Sequence, residues 1–217
     1  MADFSYNNAI LDELKAALSI ERLSTYEKLS SGDREKAIGL YLWNIALSEA
    51  LYGPIQTLEV VVRNSLHNCL ATTFGTNWYE SITYCLAGHL KEKITDAKRS
   101  LSNQNKPPSP SRIIAELSFG FWIGILTRRY ETVLWRPYLS KAFHNAPTSF
   151  TRIHAHDALD QIRKLRNRIA HHEPILAKSL DKQHELILNI IAWISPGASV
   201  WIKHYSRFDE VWQNPPS

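Results

Sequence analysis

Arg166, Asn167 and His171 make up Arg-Asn-x-x-x-His near the end of an amphipathic segment, and these residue types can together break a phosphodiester bond. A guanidinium clamps a phosphate through paired hydrogen bonds, an imidazole exchanges protons near neutrality, and an amide orients either group. RNA is open to such a set without a metal. A base takes the ribose 2′-hydroxyl proton, an acid protonates the leaving oxygen, and a cation stabilises the charged transition state, leaving a cyclic phosphate and a free hydroxyl. The same pattern also fits a structural ion pair at Arg166 with histidines that cap helix carbonyls.

Position separates these readings in part. The apolar stripe of this segment is Leu159, Ile162, Leu165 and Ile169, so Arg166 falls at the edge of the buried face, where a permanent charge needs a partner. A second segment repeats the anomaly. Glu59 falls among Ile55, Val62, Leu66 and Leu70, with Arg63 one turn on, Asn64 beside it and His67 beyond. Glu59 and Arg63 are therefore expected to approach the end of the Arg166 helix, because charges on two apolar faces are costly unless they pair. Arg163, Lys164 and Arg168 make the surrounding surface basic and are candidate RNA contacts. One difficulty stands. A straight helix sets Arg166 and His171 about 140° apart, so either fraying at Pro174 or a second copy of the site must close the gap.

These groups must be held by helices, since helical periodicity dominates and no run alternates with period two. An all-α single-domain bundle over residues 1–217 is expected. A very long helix runs from Asp33 to about Thr73, with Pro54 after Gly53 marking a kink; Gly88 to Gln104 is a polar helix ending at Pro107-Pro108. Ser109-Pro110 starts a helix reaching Arg128. A further aromatic helix covers about Tyr130 to Phe143, broken near Pro137. Thr151 to His172 is the motif helix, stopped by Glu173-Pro174, and Ser179 to Ile194 and Ala198 to Trp212 complete the set. Trp43, Trp122, Trp135 and Trp193 are expected to pack in the core.

The chain has 217 residues, 44% hydrophobic and 21% charged, which fits a folded domain and excludes a disordered or fibrous one. A net charge of +4 permits phosphate binding without establishing it. Cys69 and Cys85 are too few for a disulfide framework, and the N-terminus has no signal-peptide pattern, so a cytoplasmic protein without membrane insertion is expected. His154, His156, His171 and His172 do not converge at metal-ligand spacing, so neither a metal nor a cofactor is expected.

Four blocks in order carry a resemblance: Leu58 to Asn64, Phe74-Gly75 to Trp78, Ser109 to Trp122, and Leu165 to Ile175 with its His-His-Glu-Pro. Over about residues 38–194 the chain resembles the Abi-like (abortive-infection) family of the HEPN superfamily, all-α proteins in which Arg-x(4–6)-His marks metal-independent RNases that work as dimers. That resemblance implies an HEPN-like bundle and an endoribonuclease of an anti-phage or toxin–antitoxin system, acting on RNA as a homodimer under an RNA or protein antitoxin. Arg166, Asn167 and His171 carry the motif, His172 matches the family's His-His-Glu-Pro ending as a secondary contact, and Glu59, Arg63 and Asn64 match the first block. The alternative is a catalytically silent HEPN bundle that binds RNA or a protein partner.

Overall fold

The computed structural model describes residues 4–176 and 179–216, and among these there are helices and turns but no strand. Its spine is α3 (Arg34–Phe74), capped by Asp33, whose carboxylate accepts the Lys36 N–H at 3.0 Å. Leu47, Leu51, Ile55, Leu58, Val62, Leu66 and Leu70 recur every three or four residues along it and are buried, so one face of α3 runs through the core. Pro54 lies inside α3, and the helix continues through it.

Two N-terminal helices precede the spine, α1 (Asn8–Leu18) and α2 (Ile20–Leu29). Ser19, between them, caps α2 by accepting the Arg22 N–H at 3.3 Å. Leu11, Leu23 and Tyr26 join Ala37 and Ile38 in a small second core. After the spine come α4 (Trp78–Ser81) and α5 (Gly88–Asn103).

The expected helix from Ser109 to Arg128 is two helices instead, α6 (Pro110–Glu116) and α7 (Phe119–Gly124). Leu117 and Ser118 between them are extended, with ψ of 120° and 156°. A straight helix apolar on all sides cannot turn every side to one core. The break lets Ile113 and Ile114 bury from one piece and Phe119, Phe121, Trp122 and Ile123 from the other. The expected aromatic helix at 130–143 is likewise replaced by short turns: Arg128–Tyr130 and Leu139–Phe143 are 3-10 turns, and Glu131–Trp135 is a π turn. Pro137 has no N–H to give and its ring crowds the carbonyl four residues earlier, and here, unlike at Pro54, the regular helix gives way to turns.

The motif helix is α8 (Arg152–Ala170), followed by α9 (Leu180–Ile194). The last expected helix divides into α10 (Pro196–Tyr205) and α11 (Phe208–Trp212). Ser206 is extended between them, and its hydroxyl accepts the Phe208 N–H at 3.3 Å. Trp122 and Trp135 are buried as expected, while Trp43 and Trp193 are partly buried and pack against the core. Among the described residues no helix is long and apolar enough to cross a membrane.

Trp78, fully buried, donates its indole N–H to His67 Nδ1 at 2.8 Å. Burial, reinforced by Arg63, pushes the His67 pKa down and keeps it a neutral acceptor. We expect His67→Ala to cost about 1–3 kcal/mol in urea unfolding, because it strands a buried donor. A group whose folded pKa is depressed contributes fully above its unfolded pKa and loses that contribution as pH falls. The difference from the parent should therefore shrink between about pH 7.5 and about pH 5.5.

Candidate functional site

Both ends of α8 are tied to the body. At its start the Thr151 N–H donates to His154 Nδ1 at 3.1 Å in a reciprocal capping box. Buried Arg152 donates to the Leu126 carbonyl at 2.6 Å and pairs with Glu131 at 2.7 Å. The hydrogen bonds from Arg152 and Arg136 hold the Glu131 carboxyl below its usual range.

At its end the helix stops at Ala170, two residues short of the expected His172. The His172 N–H returns to the Ile169 carbonyl at 3.0 Å and the Glu173 N–H to the Arg168 carbonyl at 2.8 Å, a Schellman turn. That turn needs a left-handed residue, and His172 supplies it at φ 56° although glycine is the usual occupant. Three groups hold the turn in place. Arg22 donates to the His172 carbonyl, Arg168 donates to the Pro174 carbonyl at 2.6 Å, and the Ile175 N–H donates to Asn44 Oδ1 at 2.7 Å. Asn44 and Ile175 are both buried.

With α8 so held, it runs antiparallel to α3, and Arg166 Nε lies 3.3 Å from Glu59 Oε1. The expected approach of the two charged segments is met at Glu59 and Arg166. Neither sits in the core: Leu58 and Leu165 take the buried positions, and the pair lies at the core's margin with the Arg166 side chain 49% exposed. Burial pushes the Glu59 carboxyl up by more than Arg166 and Arg63 draw it down.

The pair opens on a hollow of about 420 Å³. Arg63, Arg163, Arg166 and Asn167 line it beside Glu59, and the α6–α7 break from Ala115 to Gly120 forms the opposite wall. That wall was not identified from the sequence; the Ser118-Phe119-Gly120 step inside an apolar run is the signal that could have located it.

The remaining candidates lie elsewhere. His171 is exposed at the end of α8 and is not among the described residues lining the hollow. Because α8 is regular from Arg166 to Ala170, fraying does not close the gap between Arg166 and His171. Asn64 is exposed and accepts from Arg63 Nε at 3.2 Å. Lys164 and Arg168 line a neighbouring hollow, which Asn167 also reaches. His172 lines a third, farther along α3. Much of the basic surface is already paired: Asp160 takes Arg163 at 2.7 Å and Lys164 at 2.9 Å, and Arg168 lies 3.4 Å from Glu173. Burial raises the Asp160 pKa, but hydrogen bonds from Lys164 and Arg163 outweigh it and hold the carboxyl low.

His154 and His171 stand at opposite ends of α8, about 25 Å apart along its axis. Among the described residues no group of three or more His, Cys, Asp or Glu side chains is arranged to hold a metal ion.

The family model described as Abi-like protein matches residues 11–177. The chain belongs to the Abi-like protein family. No curated protein and no solved structure matches it at a significant level. Membership is consistent with a role in abortive infection or defence. The match begins earlier than the resemblance over 38–194 and stops before α9. In this Abi-like protein it takes in both segments that bear the ion pair, the α6–α7 wall and most of the α1–α2 hairpin.

The two polar contacts between α3 and the α8 region differ in burial, and this fixes the expected costs. Asn44→Leu should destabilise by about 1–3 kcal/mol, since the buried Ile175 N–H loses its acceptor. Glu59→Gln should change stability by less than about 1 kcal/mol, since Arg166 is half in solvent. Urea unfolding at neutral pH measures both.

Proposed function

We propose that this Abi-like protein is a metal-independent endoribonuclease of an HEPN type, acting in abortive infection or as the toxin of a toxin–antitoxin pair. The observation that carries the reading is the meeting of Arg166 with Glu59 at a hollow lined by Arg63, Arg163 and Asn167. It brings Glu59 and Arg63 from one segment and Arg163, Arg166 and Asn167 from a distant one to a single hollow in which arginines outnumber carboxylates.

In this reading Arg166 clamps the scissile phosphate. An exposed ion pair is weak, so a phosphate oxygen can replace the Glu59 carboxylate without a large loss. Glu59 holds Arg166 in place before substrate arrives, Arg63 supports the site with a further positive charge, and Asn167 orients the strand or the reacting group by hydrogen bonds. Arg163, with Lys164 and Arg168 on the adjoining face, attracts the RNA backbone. His171 performs the proton transfer and His172 makes a secondary contact. Because His171 lies outside the hollow of its own chain, the proposal includes a homodimer in which two motif helices meet and one copy's His171 serves the other copy's Arg166. Acid–base and charge stabilisation are then both supplied by side chains. An RNA or protein antitoxin completes the system.

The position of His171 also favours a second reading, a silent bundle that binds RNA or a protein without cutting. One assay separates the two. Purified protein incubated with mixed RNA should cleave it equally with and without EDTA, leave cyclic-phosphate ends, and slow at high pH as the catalytic acid loses its proton. Arg166→Ala should lower the rate by about 10²–10³-fold, and Arg166→Lys should recover little, because an ammonium cannot make the paired contact. His171→Ala should lower it by about 10²–10⁴-fold, while Asn167→Ala and His172→Ala should be milder. RNA that stays intact yet tightly bound would establish the silent reading. Light scattering at micromolar protein should report a dimer; a monomer would contradict the composite site.

A further inference from the structure

The hollow at Arg166 does not end at the ion pair. A second hollow of about 310 Å³ shares Glu59 and Arg166 with it, and a third of about 600 Å³ shares Tyr52 and Ile169 with the second. The three adjoin one another along α3 as a trough whose character changes along its length. At the Arg166 end three arginines outnumber Glu59 and Glu116. Two turns of α3 away, about 10 Å along the axis, it is floored by Tyr52 and flanked by Ile45 and Ile169. Tyr52 is 64% exposed there although it is one of the larger apolar side chains of α3, and no ring stacks on it among the described residues.

From this gradient we infer that Tyr52 is a nucleobase platform: RNA whose phosphate meets Arg166 lays a neighbouring base on the Tyr52 ring. The inference rests on the reading of the Arg166 hollow as an RNA site and adds to it the subsite for a base. A nucleotide has the same gradient as the trough, an anionic backbone joined to a flat, mostly apolar ring with polar edges. The distance is right as well. About 10 Å is covered by about three nucleotides at a stacked rise of about 3.4 Å, and by fewer when the strand is splayed, as single-stranded RNA is when proteins read it. Stacking on an aromatic ring accepts any base, so Tyr52 supplies affinity and register rather than sequence selection. Ser48 and Gln56 along the rim leave polar groups beside the base edges.

The test uses the full chain and short RNA oligonucleotides carrying 2′-O-methyl groups throughout, which cannot be cut by 2′-hydroxyl attack. Calorimetric titration should show Tyr52→Ala binding about tenfold more weakly than the parent and Tyr52→Phe binding like the parent. Oligonucleotides with one abasic position, walked along the strand, should include one that the parent and Tyr52→Ala bind equally, because the base that the ring served is missing. Tyr52 is exposed, so these variants should fold normally, which unfolding curves check. Equal binding by Tyr52→Ala and the parent, with Arg166→Ala still weakened, would overturn the platform and leave the RNA site standing. No binding or cleavage of RNA by the parent would overturn both. A Tyr52→Ala variant that dissociates a dimer would overturn the platform too, and would make this end of the trough an interface between copies.

Discussion

A single buried hydrogen bond sets the geometry of the molecule's charged site: Asn44 Oδ1 accepting the N–H of Ile175 at 2.7 Å. The chain must reverse after α8, and the backbone beyond Pro174 passes into the core, where an unmatched N–H costs about 1–3 kcal/mol. Asn44, on the buried side of α3, supplies the acceptor. The Schellman turn at His172 aims the chain at it, and Arg22 and Arg168 tie down the turn's carbonyls. With that point fixed, and Arg152 tying the other end of α8, the helix runs antiparallel to α3 and Arg166 arrives opposite Glu59.

The electrostatics follow from this register. Arg163 and Lys164 share Asp160, and Arg168 is taken up by the turn, so the positive charge of the motif surface is partly cancelled where the sequence suggests it is strongest. Arg166 differs: its partner is a carboxylate that burial already makes reluctant to ionise, and the guanidinium is half in solvent. A pair of this kind is weak enough to give way to an anionic ligand. Around it, Arg63 and Arg163 raise the local potential in a walled hollow, where a charge is screened less than on open surface.

Charged residues out of step with an apolar stripe proved the most legible part of the sequence. The approach of the Glu59 and Arg63 segment to the Arg166 helix can be read from their positions, though not which pair forms, and the limits of α8 follow from Thr151 and Pro174 to within two residues. The illegible parts have physical causes. Ile113 to Leu126 is apolar on every side, so periodicity cannot reveal that Leu117 and Ser118 break it, although that break builds a wall of the site. His172 adopts a left-handed turn without the glycine that would announce it, so the helix reads two residues too long. Asn44 looks like one polar residue among many on α3, because its partner is 131 residues away.

In the proposed function Arg166 exchanges Glu59 for a phosphate of bound RNA. A crystal structure with a 2′-deoxy-substituted oligonucleotide tests it most directly. The expected result is a phosphate oxygen within hydrogen-bond distance of the Arg166 guanidinium, with the Glu59 carboxylate displaced from it. An oligonucleotide bound on another face, with the Glu59 and Arg166 pair intact, would contradict the claim.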